Sequence, residues 1–316
     1  MAHPLTRRAM ASLAVTDQPP RTGWLGVAER GSVLGIWFLV WLSTAFGRTP
    51  ARFVLRFIAL YYVLLHASIR RTSSEYLTRV HGHASLAMVY SHVLCFAEVA
   101  LDRAFIVSGK RKYFKVTCTG NHYFKELTAK GRGAILLGAH LGSFEAMRVQ
   151  ADREGLRINA LGYFRNARMI NAALQKLNPN ANARVISIDH ANFDFVLSIK
   201  ERIERGEFIA ILGDRTGSDG RMATVDFLGG QADFPTGAYV LASILKCPLY
   251  LTFGLYRRPD RYDLFCEPFE EETTLPRDNR DRALQGYAQR FATRLEHFVR
   301  LAPDNWFNFY EFWRKP

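Results

Sequence analysis

Several motifs that define common enzyme classes are missing from this chain of 316 residues. No G-x-G-x-x-G follows a predicted strand and no G-x-x-x-x-G-K-[ST] occurs, so the dinucleotide and P-loop interpretations lose their main support. No G-x-S-x-G is present either, which removes the usual elbow of a serine hydrolase. The chain also lacks a helix-turn-helix, an RNA-recognition signature and a Lys/Arg-dense stripe with stacked aromatics, which argues against nucleic-acid binding.

Cysteine is scarce. The four cysteines lie far apart, mostly among apolar neighbours, with no C-x-x-C pair and no His or Cys at the spacing of zinc ligands. We therefore expect a reduced, cytoplasm-facing protein without a metal or other cofactor. Asp214 and Asp219 resemble part of a calcium loop, but the remaining oxygen ligands are missing from the sequence.

Long hydrophobic runs are few and confined to the N-terminal part. Residues Gly31 to Gly47 carry no charge, which is at the lower edge of a membrane-spanning length, and a second apolar stretch runs from Phe57 to Ile69. Tryptophans, tyrosines and arginines surround both stretches, as is typical of the headgroup region of a membrane. We predict a membrane-anchor region over residues 1–70, as one span or as an interfacial hairpin. The alternative is that both stretches are buried core helices.

Composition allows one large core in the remaining residues 71–316, since 48% of the chain is hydrophobic. The formal net charge is +13 and the sequence pI is about 9.8, and the basic residues are spread along the chain. By charge alone, anionic lipids, acidic proteins and nucleic acid all remain open as partners.

Strand and helix signals alternate after a long helix predicted over Tyr76 to Leu101. Such alternation indicates βαβ units, so the predicted fold is α/β, with a mixed, largely parallel sheet flanked by helices and an N-terminal membrane-associated helical region. Strands are predicted at Tyr113–Cys118, Ala134–Ala139, Ile158–Phe164, Val185–Ile188, Phe208–Leu212 and Leu249–Tyr256. Helices are predicted at His122–Ala129, Phe144–Arg153, Met169–Leu177, Phe193–Arg205, Ala238–Leu245 and Ala283–Leu301.

The most informative segment runs from Gly138 to Glu145, with the sequence GAHLGSFE, between a predicted strand and a predicted helix. It places His140 at the carboxyl end of the strand and Glu145 in the first turn of the helix, where their side chains can converge. An imidazole titrates near neutrality, and a carboxylate on its far nitrogen fixes the tautomer and stabilises the imidazolium. We interpret His140 and Glu145 as a general-base pair. A strand-end histidine and a first-turn carboxylate with purely structural roles are the alternative.

Further candidates follow other strands. Gly142 permits close approach of backbone beside the pair, and the N–H groups around Gly142 and Ser143 are candidates for binding substrate or an oxyanion. Arg165 ends one predicted strand and is suited to hold an anion, or else forms a surface salt bridge. Asp214 and Arg215 follow the strand Phe208–Leu212 and are expected at the same edge of the sheet as His140. The segment Val225 to Gly237 leads into the next predicted helix, and its Gly, Pro and Thr residues are interpreted as a turn and N-cap.

Taken together, the chain resembles the lipid A biosynthesis acyltransferases, the lauroyl and myristoyl transferases of the lysophospholipid acyltransferase superfamily. The likeness rests on the apolar N-terminal region, on His140-x-Gly142-x-x-Glu145, on Asp214-Arg215, and on the blocks FLGGQADFPTG (227–237) and APDNWF (302–307). Ser143 and Phe144 stand where the family usually has Asn and Trp. The sequence is also similar to the branch of this family found with aryl-polyene pathways.

The resemblance implies a membrane-bound acyltransferase at the bacterial inner membrane, with its catalytic domain on the cytoplasmic face. The donor would be a thioester of acyl carrier protein or coenzyme A, and the acceptor a hydroxyl or amine of a lipid or glycolipid. In this mechanism His140 takes the acceptor proton, Glu145 stabilises the imidazolium, and Arg165 or Arg215 stabilises the oxyanion. Two alternatives stay open: a thioesterase that uses the same pair to activate water, and a non-catalytic basic protein that binds membrane surfaces.

Overall fold

The computed structural model describes residues 33–107, 109, 113–162, 185–187, 193–215 and 220–314. The predicted helix Met169–Leu177 and the candidate Arg165 lie outside these residues.

Nine strands and nine α-helices make up the described parts of the chain. The strands are β1 Lys115–Thr119, β2 Ala134–Gly138, β3 Ile158–Gly162, β4 Val185–Ser187, β5 Phe208–Leu212, β6 Met222–Phe227, β7 Gly230–Pro235, β8 Leu249–Arg257 and β9 Arg261–Glu270. The helices are α1 Val33–Phe46, α2 Arg48–Leu65, α3 Ala67–His81, α4 Leu86–Val107, α5 Asn121–Ala129, α6 Phe144–Arg153, α7 Phe193–Glu204, α8 Gly237–Leu245 and α9 Arg280–Leu301.

Seven strands form one sheet in the order β1-β9-β8-β2-β5-β3-β4. All neighbouring pairs are parallel except β8 with β9, so the predicted mixed, largely parallel α/β sheet is confirmed. The remaining two strands, β6 and β7, form a separate antiparallel hairpin.

Strand β2 lies at the centre of the sheet, and every one of its residues is buried. Ile135 and Leu137 face a core shared with helices α7, α8 and α9, whereas Leu136 faces a second core shared with α5 and α6. The uninterrupted apolar sequence of β2 follows from this position, because both faces of a covered parallel sheet are dry. The carboxyl end of β2 is therefore held firmly by its neighbours.

The N-terminal helices pack on the sheet domain with one face only. Helix α2 buries Ala51, Leu55, Ala59 and Val63, which are spaced four residues apart, in the main core. Its opposite face exposes Phe53, Phe57, Leu60, Tyr61 and Leu64. Among the described residues, no single helix has the length and apolarity to cross a membrane, and the pair α2 and α3, bent by 95°, meets those criteria only together.

Two predictions about elements were wrong, and some strands were not predicted at all. The helix predicted over Tyr76–Leu101 is two helices, because Gly82 adopts a left-handed conformation (φ 80°) that ends α3. The stretch interpreted as a turn before α8 contains the end of β6 and all of β7, and the two-residue turn between them places Leu228 (φ 50°) and Gly229 (φ 71°) at positive φ. The N-cap part of that prediction is confirmed, because Thr236 is the N-cap residue of α8. Strands β6, β7 and β9 were not predicted.

Candidate active site

The centre of the site lies just beyond the carboxyl ends of β2 and β5. These strands are parallel, with Gly138 paired to Leu212, and the ladder continues through a hydrogen bond from the Gly213 N–H to the Gly138 carbonyl, 2.8 Å. His140 and Asp214 stand two residues beyond the last pair on their respective strands. The register therefore brings them side by side, at the edge where open α/β sheets bind their ligands.

Asp214 holds the imidazole of His140. Its Oδ1 accepts hydrogen bonds from the His140 Nδ1–H at 2.8 Å and from the His140 backbone N–H at 3.1 Å. Its Oδ2 accepts from the Trp306 indole N–H at 3.1 Å and from Arg215 at 3.4 Å. Asp214 is fully buried, and burial alone would raise the pKa of its carboxyl, but His140 and Arg215 outweigh burial and lower that pKa well below its usual range.

The protonation state of His140 follows from these contacts. An ionised carboxylate only accepts hydrogen bonds, so the proton of the neutral ring sits on Nδ1 and the basic lone pair is on Nε2. The loss of water around the ring and the charge of Arg215 lower the pKa of His140 below its ordinary 6.5, and Asp214 partly offsets them. About a third of the side chain (32%) is exposed. The His140 imidazole is thus neutral near pH 7, held in one orientation and partly accessible.

Glu145 lies in the first turn of α6, as predicted, with its side chain mostly buried. Its carboxylate forms an ion pair with the Arg103 guanidinium of α4 at 2.6 Å. The carboxylate on the far nitrogen of His140, the place predicted for Glu145, is that of Asp214. The role of Glu145 in catalysis stays a prediction.

Gly142 and Ser143 make the turn between β2 and α6. Gly142 adopts a positive φ of 70°, and a Cβ there would lie 1.9 Å from the Gly254 carbonyl oxygen, so only glycine fits. The Gly142 N–H donates to the Asn305 carbonyl at 2.8 Å and the Ser143 N–H to the Gly254 carbonyl at 2.8 Å. An oxyanion would have to displace these bonds. The Ser143 hydroxyl oxygen caps α6 by accepting from the Ala146 N–H at 3.2 Å.

The Arg215 side chain is directed into the protein. Its side chain is only 9% exposed, and besides Asp214 it donates to the Phe307 carbonyl at 3.1 Å and lies over the Tyr310 ring, 5.2 Å from the centroid. The residues that follow, 216–219, lie outside the described part of the chain. In its described contacts, Arg215 supports Asp214 and the C-terminal segment.

Two features of the site escaped the sequence reasoning. Trp306 follows the short 3₁₀ turn Pro303–Asn305, and Arg103 lies on α4 far from the motif in sequence. The one available signal for Trp306 was its residue type, because the N–H of a buried tryptophan needs a hydrogen-bond acceptor. Nothing in the sequence around Arg103 distinguishes it from the other arginines.

A small apolar cavity opens between the sheet and helices α5 and α6. Phe144 and Met147 of α6, Phe124 of α5, and Leu136 of β2 contribute to its walls. The lining residues do not include His140 or Asp214. The cavity has an apolar lining of the kind that suits an alkyl chain.

In the described residues no cluster of three or more His, Cys, Asp or Glu side chains could hold a metal ion. All four cysteines, Cys95, Cys118, Cys247 and Cys266, are free thiols.

Comparison with known proteins identifies one family. The model of the bacterial lipid A biosynthesis acyltransferases matches residues 31–315, nearly the whole chain. No curated protein matches the chain.

Proposed function

Since the chain belongs to the bacterial lipid A biosynthesis acyltransferase family, and is therefore an acyltransferase that acts on a lipid acceptor, we propose that His140 is its general base and Asp214 the carboxylate that orients it. The observation that carries this proposal is the 2.8 Å bond from His140 Nδ1 to a buried, ionised Asp214 at the carboxyl ends of two parallel strands. Glu145, paired with Arg103, is proposed as a second carboxylate that supports the site.

The reaction we propose uses a thioester of acyl carrier protein or coenzyme A as donor and a hydroxyl or amine of a lipid or glycolipid as acceptor. His140 Nε2 removes the acceptor proton as the acceptor oxygen or nitrogen attacks the thioester carbonyl. The tetrahedral intermediate then collapses, the carbon–sulfur bond breaks, and the imidazolium returns its proton to the departing thiolate. No cofactor takes part. Arg165 and Arg215 are the proposed partners of the anionic substrate groups or of the oxyanion, and the net charge of +13 favours the approach of anionic donors.

We assign the donor's acyl chain to the cavity beneath α6. Ala151 and Met147 both line it from α6, and changes at these two positions should act in opposite directions. Ala151→Leu should shift preference towards shorter acyl chains, and Met147→Ala towards longer ones. Competition between thioesters of different chain length would measure the shift. Unchanged preference in both variants would place the acyl chain elsewhere.

Membrane association is proposed to occur through the exposed apolar face of α1 and α2. Phe38, Trp41 and Phe46 of α1 and Phe53 and Phe57 of α2 are each about half exposed. A patch of this kind is unusual on a soluble surface and suits the boundary between headgroups and acyl chains. The proposed location is the bacterial inner membrane, with the catalytic domain on the cytoplasmic face, and the four free thiols fit a reducing compartment.

Vesicle flotation tests this surface. Phe53→Ser combined with Phe57→Ser should weaken binding to anionic phospholipid vesicles by tenfold or more, because each large apolar side chain contributes about 1.5–3 kcal/mol when buried. Leu197→Ser, at a similarly exposed position (42%) on α7, is the matched control and should leave binding unchanged. Equal binding of all three proteins would contradict the assignment.

A mass balance distinguishes transfer from hydrolysis. The purified protein is given an acyl thioester with and without a lipid acceptor, and thiol, acyl lipid and free fatty acid are quantified by mass spectrometry. We expect acyl lipid to match the thiol released, and slow turnover when the acceptor is omitted. Free fatty acid formed at the same rate with or without acceptor would identify a thioesterase instead.

A further inference from the structure

Trp306 stands out among the buried residues around the site. It is fully buried, and it follows α9 through the 3₁₀ turn Pro303–Asn305. Its ring packs edge-on against Tyr76 and Phe227, with centroids 5.2 Å away in both cases. Packing alone would account for a large apolar side chain here. It does not account for where the indole N–H points.

The indole N–H donates to the carboxylate oxygen of Asp214 that His140 does not use. Oδ1 of Asp214 faces His140, and Oδ2 receives the Trp306 Nε1–H at 3.1 Å together with a longer contact from Arg215 at 3.4 Å. A carboxylate bonded at both oxygens cannot rotate about its Cβ–Cγ bond without breaking one side. The Trp306 bond therefore fixes the direction in which Oδ1 accepts from the imidazole.

The backbone around Trp306 is tied to the same strand end as His140. The Phe307 N–H donates to the His140 carbonyl at 3.0 Å, Trp306 forms an antiparallel bridge with Leu141, and the Gly142 N–H donates to Asn305 at 2.8 Å. Three backbone contacts thus tie the segment Asn305–Phe307 to the turn that carries the general base.

A buried histidine, His92, holds Trp306 from the other side. His92 Nε2 lies 3.0 Å from the Trp306 carbonyl, which can only accept, so Nε2 carries the proton. His92 Nδ1 then accepts from the Ser73 hydroxyl at 2.8 Å. Both residues are fully buried, so this chain of bonds anchors Trp306 to helices α3 and α4.

We propose that Trp306 is a positioning residue of this acyltransferase, which holds the Asp214 carboxylate in the orientation that directs the His140 base. This inference rests on the proposed function, since it assigns Trp306 a task only if His140 and Asp214 are the catalytic pair. Trp313 offers the contrast: it is also a buried tryptophan, but its N–H donates to the Phe227 carbonyl at 2.9 Å, away from Asp214.

The test compares Trp306→Phe with Trp313→Phe in the full-length protein, with turnover measured under a saturating acyl thioester and lipid acceptor. Both changes remove a buried indole and its N–H bond, so a purely structural role predicts equal effects. We expect Trp306→Phe to lower kcat on the order of tenfold with little change in KM, because a hydrogen bond to a charged group is lost beside the base. Trp313→Phe should keep kcat within about twofold.

The pH profile supplies a readout that packing does not move. Without the indole N–H, less of the Asp214 charge is neutralised, so the carboxylate favours the imidazolium more strongly and the acid limb of kcat/KM should move to higher pH. Trp313→Phe should leave the limb in place. If Trp306→Phe does not fold, replacement of Trp306 by 3-benzothienylalanine, which keeps the bicyclic shape and lacks the N–H, decides the question.

Equal kcat in the Trp306 and Trp313 variants, with an unmoved acid limb, would overturn the inference. His140→Ala is assayed in parallel. If that variant is inactive while the Trp306 variant behaves like the Trp313 variant, only the positioning role fails. If His140→Ala retains its activity, the proposed function itself fails.

Discussion

Asp214→Asn is the substitution that acts most directly on the proposed catalytic pair. It keeps the size of the side chain and removes the negative charge that faces Nδ1 of His140 at 2.8 Å. Loss of this charge should destabilise the imidazolium that forms during the reaction by about 2–4 kcal/mol. The lower limit is the value of a hydrogen bond to a charged group, and the upper limit is the Coulomb energy of two charges about 4 Å apart at an effective dielectric of about 20. At about 1.36 kcal/mol per factor of ten, kcat should fall about 30- to 1000-fold.

The pH dependence of the same variant gives a second, signed expectation. Asp214 raises the pKa of His140 against the two effects that lower it, so its neutralisation should lower that pKa further. The acid limb of kcat/KM should then move to lower pH while the plateau falls. Steady-state kinetics between pH 5 and 8, with a thermal melt at each pH to confirm folding, would measure both. A folded Asp214→Asn protein with kcat within twofold of the wild type and an unmoved limb would refute the reasoning.

Two further predictions concern the surroundings of the site. Glu145→Gln should lower kcat less than Asp214→Asn does, because the described partner of Glu145 is Arg103 rather than the imidazole, and the reverse order in kinetic assays would return the orienting role to Glu145. Burial lowers the pKa of His92 from 6.5 to about 4, so the folded state resists protonation and the free energy of unfolding should decrease as the pH falls from 6.5 towards 4, on the order of 3 kcal/mol in total. Asp102, whose pKa is raised to about 6, acts in the opposite direction. Because Asp102 is present in both the wild type and His92→Gln, the free energy of unfolding of these two proteins should be compared as a function of pH by denaturant unfolding. An equal dependence of that free energy on pH in the two proteins would contradict the assignment.

The centre of the sheet could be predicted from the sequence because its signals are local. The strand β2 and the helix α6 that flank His140 were predicted to within one residue, since a continuous apolar run and a serine N-cap decide them. The expectation that His140 and Asp214 share one edge of the sheet also follows from local information, because both come directly after parallel strands.

The partner of the imidazole could not be predicted in the same way. Glu145 is close to His140 in sequence, whereas Asp214 becomes its neighbour only through the pairing of β2 with β5. Strand register and the Trp306 N–H decide whether Asp214 or Glu145 faces Nδ1 of His140. Both depend on tertiary contacts between residues far apart in sequence. The β6–β7 hairpin was not predicted because its turn lacks the usual sequence signal. A buried Leu228 occupies a turn position with positive φ, where glycine or asparagine is usual.

The most direct test of the account is the turnover of His140→Ala. The variant and the wild type are purified in the same lipid, their melting temperatures are compared, and acyl transfer from a thioester to the lipid acceptor is followed by mass spectrometry. The account predicts a folded variant with kcat reduced by at least 100-fold, because general-base catalysis contributes about 10²–10⁴-fold. A folded His140→Ala protein with near-wild-type turnover would contradict the central claim that His140 is the base.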